Sequence, residues 1–158
     1  MANLYCLDTS SLIHLRNFPV EVFGQFWELL DSLADEGRLI APREVLREVA
    51  KQEDVGHGWA RGHPGVFLDP DAEQGALVGS LQTQYPDLNV PEKPLHADPW
   101  CLALGVLRTR GDDSCYLINE ERDARPKLPW LCVQLGVPWA RLLGIPELEG
   151  LQFTLAPR

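Results

Sequence analysis

The chain has 158 residues, of which 45% are hydrophobic and 23% charged, and its formal net charge is −9. These totals describe a single ordinary domain over residues 1–158, long enough to bury a core, and they exclude a disordered chain. The acidic balance argues against a protein that coats DNA, but not against an enzyme whose carboxylates hold a divalent cation, because the bound ion reverses the local field.

In chain order, Leu4-Tyr5-Cys6-Leu7 is an apolar run too short for a helix, and it stops at Asp8 followed by Thr9, Ser10 and Ser11. This predicts a buried strand that delivers one carboxylate to its carboxyl end and then turns into a short helix over residues 10–16, closed by Pro19. Val22, Phe23, Phe26, Trp27, Leu30 and Leu33 recur at helical spacing, so residues 20–36 read as an amphipathic helix with Gly37 just past its end. Leu39-Ile40-Ala41 reads as a second strand. Pro42 then introduces a helix whose apolar face is Val45, Leu46 and Val49.

Residues 53–65, rich in Gly and His, read as a loop around Trp59, and Val66-Phe67-Leu68 as a short strand. Asp69 is expected to cap a helix over residues 71–84, with Leu77 and Leu81 inward, before a proline-punctuated connector. Asp98-Pro99 opens the next helix, and Asp112-Asp113 turns the chain into the strand Cys115-Tyr116-Leu117-Ile118. Beyond it, residues 128–135 and 139–143 read as helices and residues 151–155 as an edge strand. The alternation of strands and helices predicts an α/β domain with a parallel, doubly wound sheet.

No apolar run approaches the roughly 20 residues that span a bilayer, and the amino terminus lacks the features of a secretory leader, so a cytoplasmic protein without a membrane partner is expected. Cys6, Cys101, Cys115 and Cys132 form no close pair, and His14, His57, His63 and His96 do not complete a zinc set, so buried free thiols are expected.

Four acids occupy strand ends or helix starts: Asp8, Glu48 beside the Val45 and Val49 face, Asp98, and Glu121 together with Glu120 after Asn119. Carboxylates gathered from such addresses form the oxygen-rich site that Mg²⁺ or Mn²⁺ requires for phosphodiester cleavage. Each has a structural alternative. Asp8 and Asp98 fit helix caps, Glu48 could pair with Arg43, Arg47 or Lys51, and Glu121 could belong to a charged turn.

The motifs YCLDTSSLIHL, APREVLREV, HADPWCLALG, YLINEE and KLPWLCVQLGV follow one another in an order that resembles the PIN domain. Within that group the chain is most similar to the PIN-like proteins catalogued as DUF4411, and more broadly to VapC-like ribonuclease toxins. The match covers most of the chain and is weakest over residues 53–95.

The resemblance implies a three-layer α/β/α fold with a central, mainly parallel sheet. It also implies a metal-dependent endoribonuclease, often the toxin of a bacterial toxin–antitoxin pair, with RNA as substrate, a cognate antitoxin as partner and a possible homodimer. By position, Asp8, Glu48, Asp98 and Glu121 become the catalytic, metal-binding acids, with Thr9, Ser10, Asn119 and Glu120 supporting them or touching substrate. The sequence departs from the family pattern after the strand Cys115-Tyr116-Leu117-Ile118, where Asn119 takes a Thr place and Glu121 an Asp place. Glu120 and Asp123 are therefore possible substitutes for the fourth acid. Two other readings stand beside this one: a catalytically weak PIN-like module that acts by binding a protein, and an aspartate-phosphorylating α/β enzyme, which lacks its second Asp at Ser10.

Overall fold

Short apolar runs build the sheet. The protein was analysed as a computed structural model that describes residues 2–92, 96–111 and 114–154. Its strands are β1 (Leu4–Leu7), β2 (Leu39–Pro42), β3 (Phe67–Leu68), β4 (Cys115–Ile118) and β5 (Trp139–Ala140). They lie in the order β3-β2-β1-β4-β5, and every pair is parallel. All four residues of β2, and all but the first of β1, are buried, as expected of parallel strands covered on both faces.

The helices that flank the sheet are α1 (Thr9–His14), α2 (Val20–Asp35), α3 (Arg43–Val49), α4 (Val55–Gly62), α5 (Ala72–Gln84), α6 (Asp98–Thr109), α7 (Leu128–Leu135) and α8 (Gly144–Leu148). The α/β class and the layered parallel sheet expected from the sequence are those observed. The chain winds from β1 outward to β2 and β3, then crosses to the other side of β1 for β4 and β5. This reversal leaves a crevice beyond the carboxyl ends of β1 and β4, the place where open α/β sheets bind ligands.

Several local expectations are corrected. Residues 55–62 are helical rather than a loop: Asp54 caps α4 by accepting the His57 N–H at 3.1 Å. Gly56 is there because α4 lies so close to α1 that a Cβ at this position would collide with the Leu12 carbonyl. In α2, Val22 is 74% exposed, because Phe23 leaves helical geometry and breaks the phase of the first turn. Gly37 does adopt the left-handed conformation past the end of α2 (φ +72°).

Asp71, not Asp69, caps α5 by accepting the Gln74 N–H, and Asp69 instead pairs with Arg43. Residues 139–140 are the edge strand β5 rather than a helix, because Leu117 and Asn119 donate their N–H groups to Pro138 and Ala140. Residues 151–154 form no strand, while Leu155, Asp112 and Asp113 lie outside the described residues. The four cysteines are free and buried, and burial pushes the thiols of Cys101, Cys115 and Cys132 up. Among the described residues no helix is long and apolar enough to cross a membrane.

Candidate metal centre

Where β1 ends, Asp8 has extended backbone and begins α1. Its Oδ1 accepts the Ser11 N–H at 2.8 Å, so the capping role is real. Capping alone does not explain its surroundings. Asp8 is 1% exposed, and carboxylate oxygens of Asp98 and Glu121 reach it, all three residues placing an oxygen within 4.8 Å of the others. Burial pushes the Asp8 carboxyl well above the ordinary range. The Asp98 and Glu121 charges add to this, while the Ser11 and Ser10 hydrogen bonds work against it. Burial and then Asp98 raise Glu121 in the same direction, against the Leu128 N–H and the charges of Lys127 and His96.

Each acid is held by a different element. Ser10 Oγ donates to the Asp8 carboxylate at 2.8 Å and itself accepts the Glu120 N–H at 2.9 Å, which ties the exit of β1 to the exit of β4. Asp98 is the first residue of α6; the capping position belongs to Ala97, so the expected cap role is corrected and the Asp98 carboxylate is left for the crevice. Glu121 follows β4, and its Oε2 accepts the Leu128 N–H at 2.9 Å, joining it to the start of α7.

Glu48 stands beside these three rather than among them. Its Oε1 accepts the Ala97 N–H at 2.8 Å and the Thr9 hydroxyl at 3.3 Å, so α3 fixes both the turn before Asp98 and the residue after Asp8. It does not pair with the neighbouring cations of its own helix. Glu120 turns the other way, accepting the Leu142 N–H at 2.7 Å, with His14 3.8 Å away. Asp123 is exposed. Neither substitute belongs to the acid cluster; Glu121 does.

Asn119 is fully buried. Its Oδ1 accepts the Glu121 N–H at 3.1 Å, and its amide nitrogen has no partner among the described residues. Arg141, reaching from β5, donates to the carbonyls of both Asn119 and Glu121 while standing 5.0 Å over the Trp139 ring.

The sequence reading passed over His96, which it considered only as a zinc ligand. His96 Nε2 lies 3.2 Å from Asp98 Oδ2. Burial alone would lower its pKa, but the Asp98 hydrogen bond and the charges of Asp98, Glu48 and Glu121 raise it instead. Its position two residues before Asp98 was the available signal.

The donor set, three carboxylates at a strand-end crevice, fits a hard divalent cation that prefers oxygen ligands. Fixed acids placed this close repel one another until a cation or protons intervene.

Residues 5–153 match the family model described as "Domain of unknown function (DUF4411)". No match was found among the curated proteins. A match over almost the whole length settles membership: the chain belongs to the DUF4411 family.

Proposed function

We propose that this DUF4411 chain is a PIN-type, metal-dependent endoribonuclease. The observation that carries the reading is the convergence of Asp8, Asp98 and Glu121 at the switch point of the sheet, with Asp8 buried and its charge opposed by its surroundings. In this reading the three acids hold Mg²⁺ or Mn²⁺, which when bound supplies an activated water and charge neutralisation at the scissile phosphate. The chain's own part is placement. Ser10 orients Asp8, His96 orients Asp98, Leu128 orients Glu121, and Glu48 fixes the backbone at Ala97.

The Glu at the fourth acid position motivated the alternative of a weak, protein-binding module. Its place in the cluster with Asp8 and Asp98 favours the catalytic reading. A role as the toxin of a toxin–antitoxin pair, with an antitoxin partner and a homodimeric assembly, belongs to the same proposal and rests on the resemblance to PIN toxins.

The test is cleavage of single-stranded RNA by purified protein with Mn²⁺, beside calorimetric titration of the ion. Asp8→Asn and Asp98→Asn are each expected to lower cleavage by roughly a thousandfold or more while the circular dichroism spectrum is kept, on the scale of losing a principal charge-stabilising group. Full cleavage by both variants would overturn the assignment. Growth arrest on expression that disappears in Asp8→Asn would support the toxin role, and unaffected growth on expression of active protein would remove it.

A further inference from the structure

At the start of α7, the helix whose Leu128 N–H holds Glu121, lies a cleft that the metal chemistry does not use. Arg125 stands over the Trp130 ring, with its guanidinium carbon 4.9 Å from the ring centroid. Tyr85 meets the same indole edge-on, with centroids 6.1 Å apart and an interplanar angle of 89°. Arg125 is exposed, Trp130 and Tyr85 are half-buried, and Pro86 and Pro126 close the sides.

Both walls of the cleft continue into elements that hold the acids. Trp130 sits in the first turn of α7, two residues past the Leu128 N–H that fixes Glu121. Tyr85 caps the end of α5, and α5 packs along α6, whose first residue is Asp98. In a chain of net charge −9, residues 122–127 carry Arg122, Arg125 and Lys127 against Asp123 alone. This is a local surplus of cations next to a surplus of carboxylates.

We propose that Arg125, Trp130 and Tyr85 form a stacking subsite for one unpaired base of a single-stranded RNA that lies across the carboxylate centre; the inference rests on the nuclease reading above. Single-stranded nucleic acid is held by a cationic track for phosphates and by flat π surfaces for bases, and an Arg guanidinium plane serves as such a surface as well as an indole does. A phosphate-only contact has no use for an indole and a phenol beside the arginine. The other polar side chains of its lining, Gln84 and Asp87, are exposed rather than a buried array of donors and acceptors, so the cleft grips a base with little preference for its identity. It places that base on the α7 side of the scissile phosphate.

The probes are short oligoribonucleotides carrying one 2-aminopurine at successive positions. They are mixed with the full chain in Ca²⁺, and the same samples are run on gels to confirm that the RNA stays intact. Wild-type protein is expected to quench the fluorophore at one position. Trp130→Leu should abolish that quenching and weaken binding about tenfold, the scale of one stacked base. Trp130→Phe should restore most of both. Arg125→Ala, at an exposed position, should reproduce the loss and carries the test if Trp130→Leu lowers the thermal midpoint.

Bound RNA with no quenched position, or unchanged quenching in Trp130→Leu and Arg125→Ala, overturns the subsite and leaves the nuclease reading standing if Mn²⁺-dependent cleavage is seen. Absence of both RNA binding and cleavage overturns the two together.

Discussion

The two ends of the sheet treat their acids in opposite ways. Before the strands begin, Glu149 accepts the Tyr5 hydroxyl at 2.5 Å and an Arg38 N–H at 2.6 Å, and Arg38 also donates to the Asn3 carbonyl and to Glu36. Burial pushes the Glu149 carboxyl up, but the hydrogen bonds from Arg38 and Tyr5 overcome it, and the pKa is lowered. Beyond the strands, Asp8 has two other acids for neighbours and is pushed the other way. One end completes its electrostatics within the chain. The other is left unfinished, with three carboxylates that could hold a cation. A carboxylate cluster alone is a weak sign of a site; its contrast with a neutralised cluster in the same sheet is a stronger one.

Variants at the two ends should therefore respond with opposite signs. The largest effect belongs to Ser10→Ala, which removes the hydroxyl shared by Asp8 and Glu120. We expect Mn²⁺ affinity to fall about 10- to 100-fold by calorimetry, the usual scale for a group that orients a ligand. Next is Glu149→Gln, which removes the less exposed of Arg38's two carboxylate partners and leaves Glu36. It should cost about 1–2 kcal/mol in thermal or denaturant unfolding while RNA cleavage is unchanged.

Asp8→Asn should do the reverse in chelator. The amide still accepts the Ser11 N–H, the buried charge is gone, and the midpoint should rise by about 2–4 °C, the shift made by 1 kcal/mol in a domain of this size. A midpoint that falls instead would mean that Asp8 is a structural cap. Conversely, added Mn²⁺ should stabilise wild type and not the variant.

The smallest and most diagnostic effect is in the pH profile without metal. The folded-state pKa of Asp8 is raised, so the native state binds its proton more tightly. Stability falls as pH climbs from the ordinary carboxylate range through the raised value. Glu149 is lowered, so its contribution is present above the ordinary range and is lost as pH falls through the lowered value. Denaturant unfolding across pH should show the first slope shrink in Asp8→Asn, to the part that the raised Glu121 carries, and the second vanish in Glu149→Gln.

Much of this arrangement was legible in the residues. β1, β2 and β4 announce themselves as apolar runs, α7 by its bounds, and Asp8, Asp98 and Glu121 by their addresses after strands or at a helix start. What escaped depended on contacts between distant segments. α4 looked like a loop because it is rich in glycine, and one of these, Gly56, reflects the approach to Leu12, which no local pattern records. β5 is two residues long and exists only through its ladder with β4. Glu48 was placed among the ligands by its position in the family pattern, and nothing along the chain records that its Oε1 meets the Ala97 N–H. His96 was weighed against zinc rather than against the acid two residues away.

Arg141 and Leu142 fix the far wall of the crevice, the first gripping the carbonyls of Asn119 and Glu121 and the second the Glu120 carboxylate. A ribosome delivers Asp8 early and these clamps much later, after every acid of the centre has already emerged. The crevice therefore gains its far wall only once translation has passed Leu142, and under the proposed nuclease reading the nascent chain would leave its own message uncut for most of its synthesis.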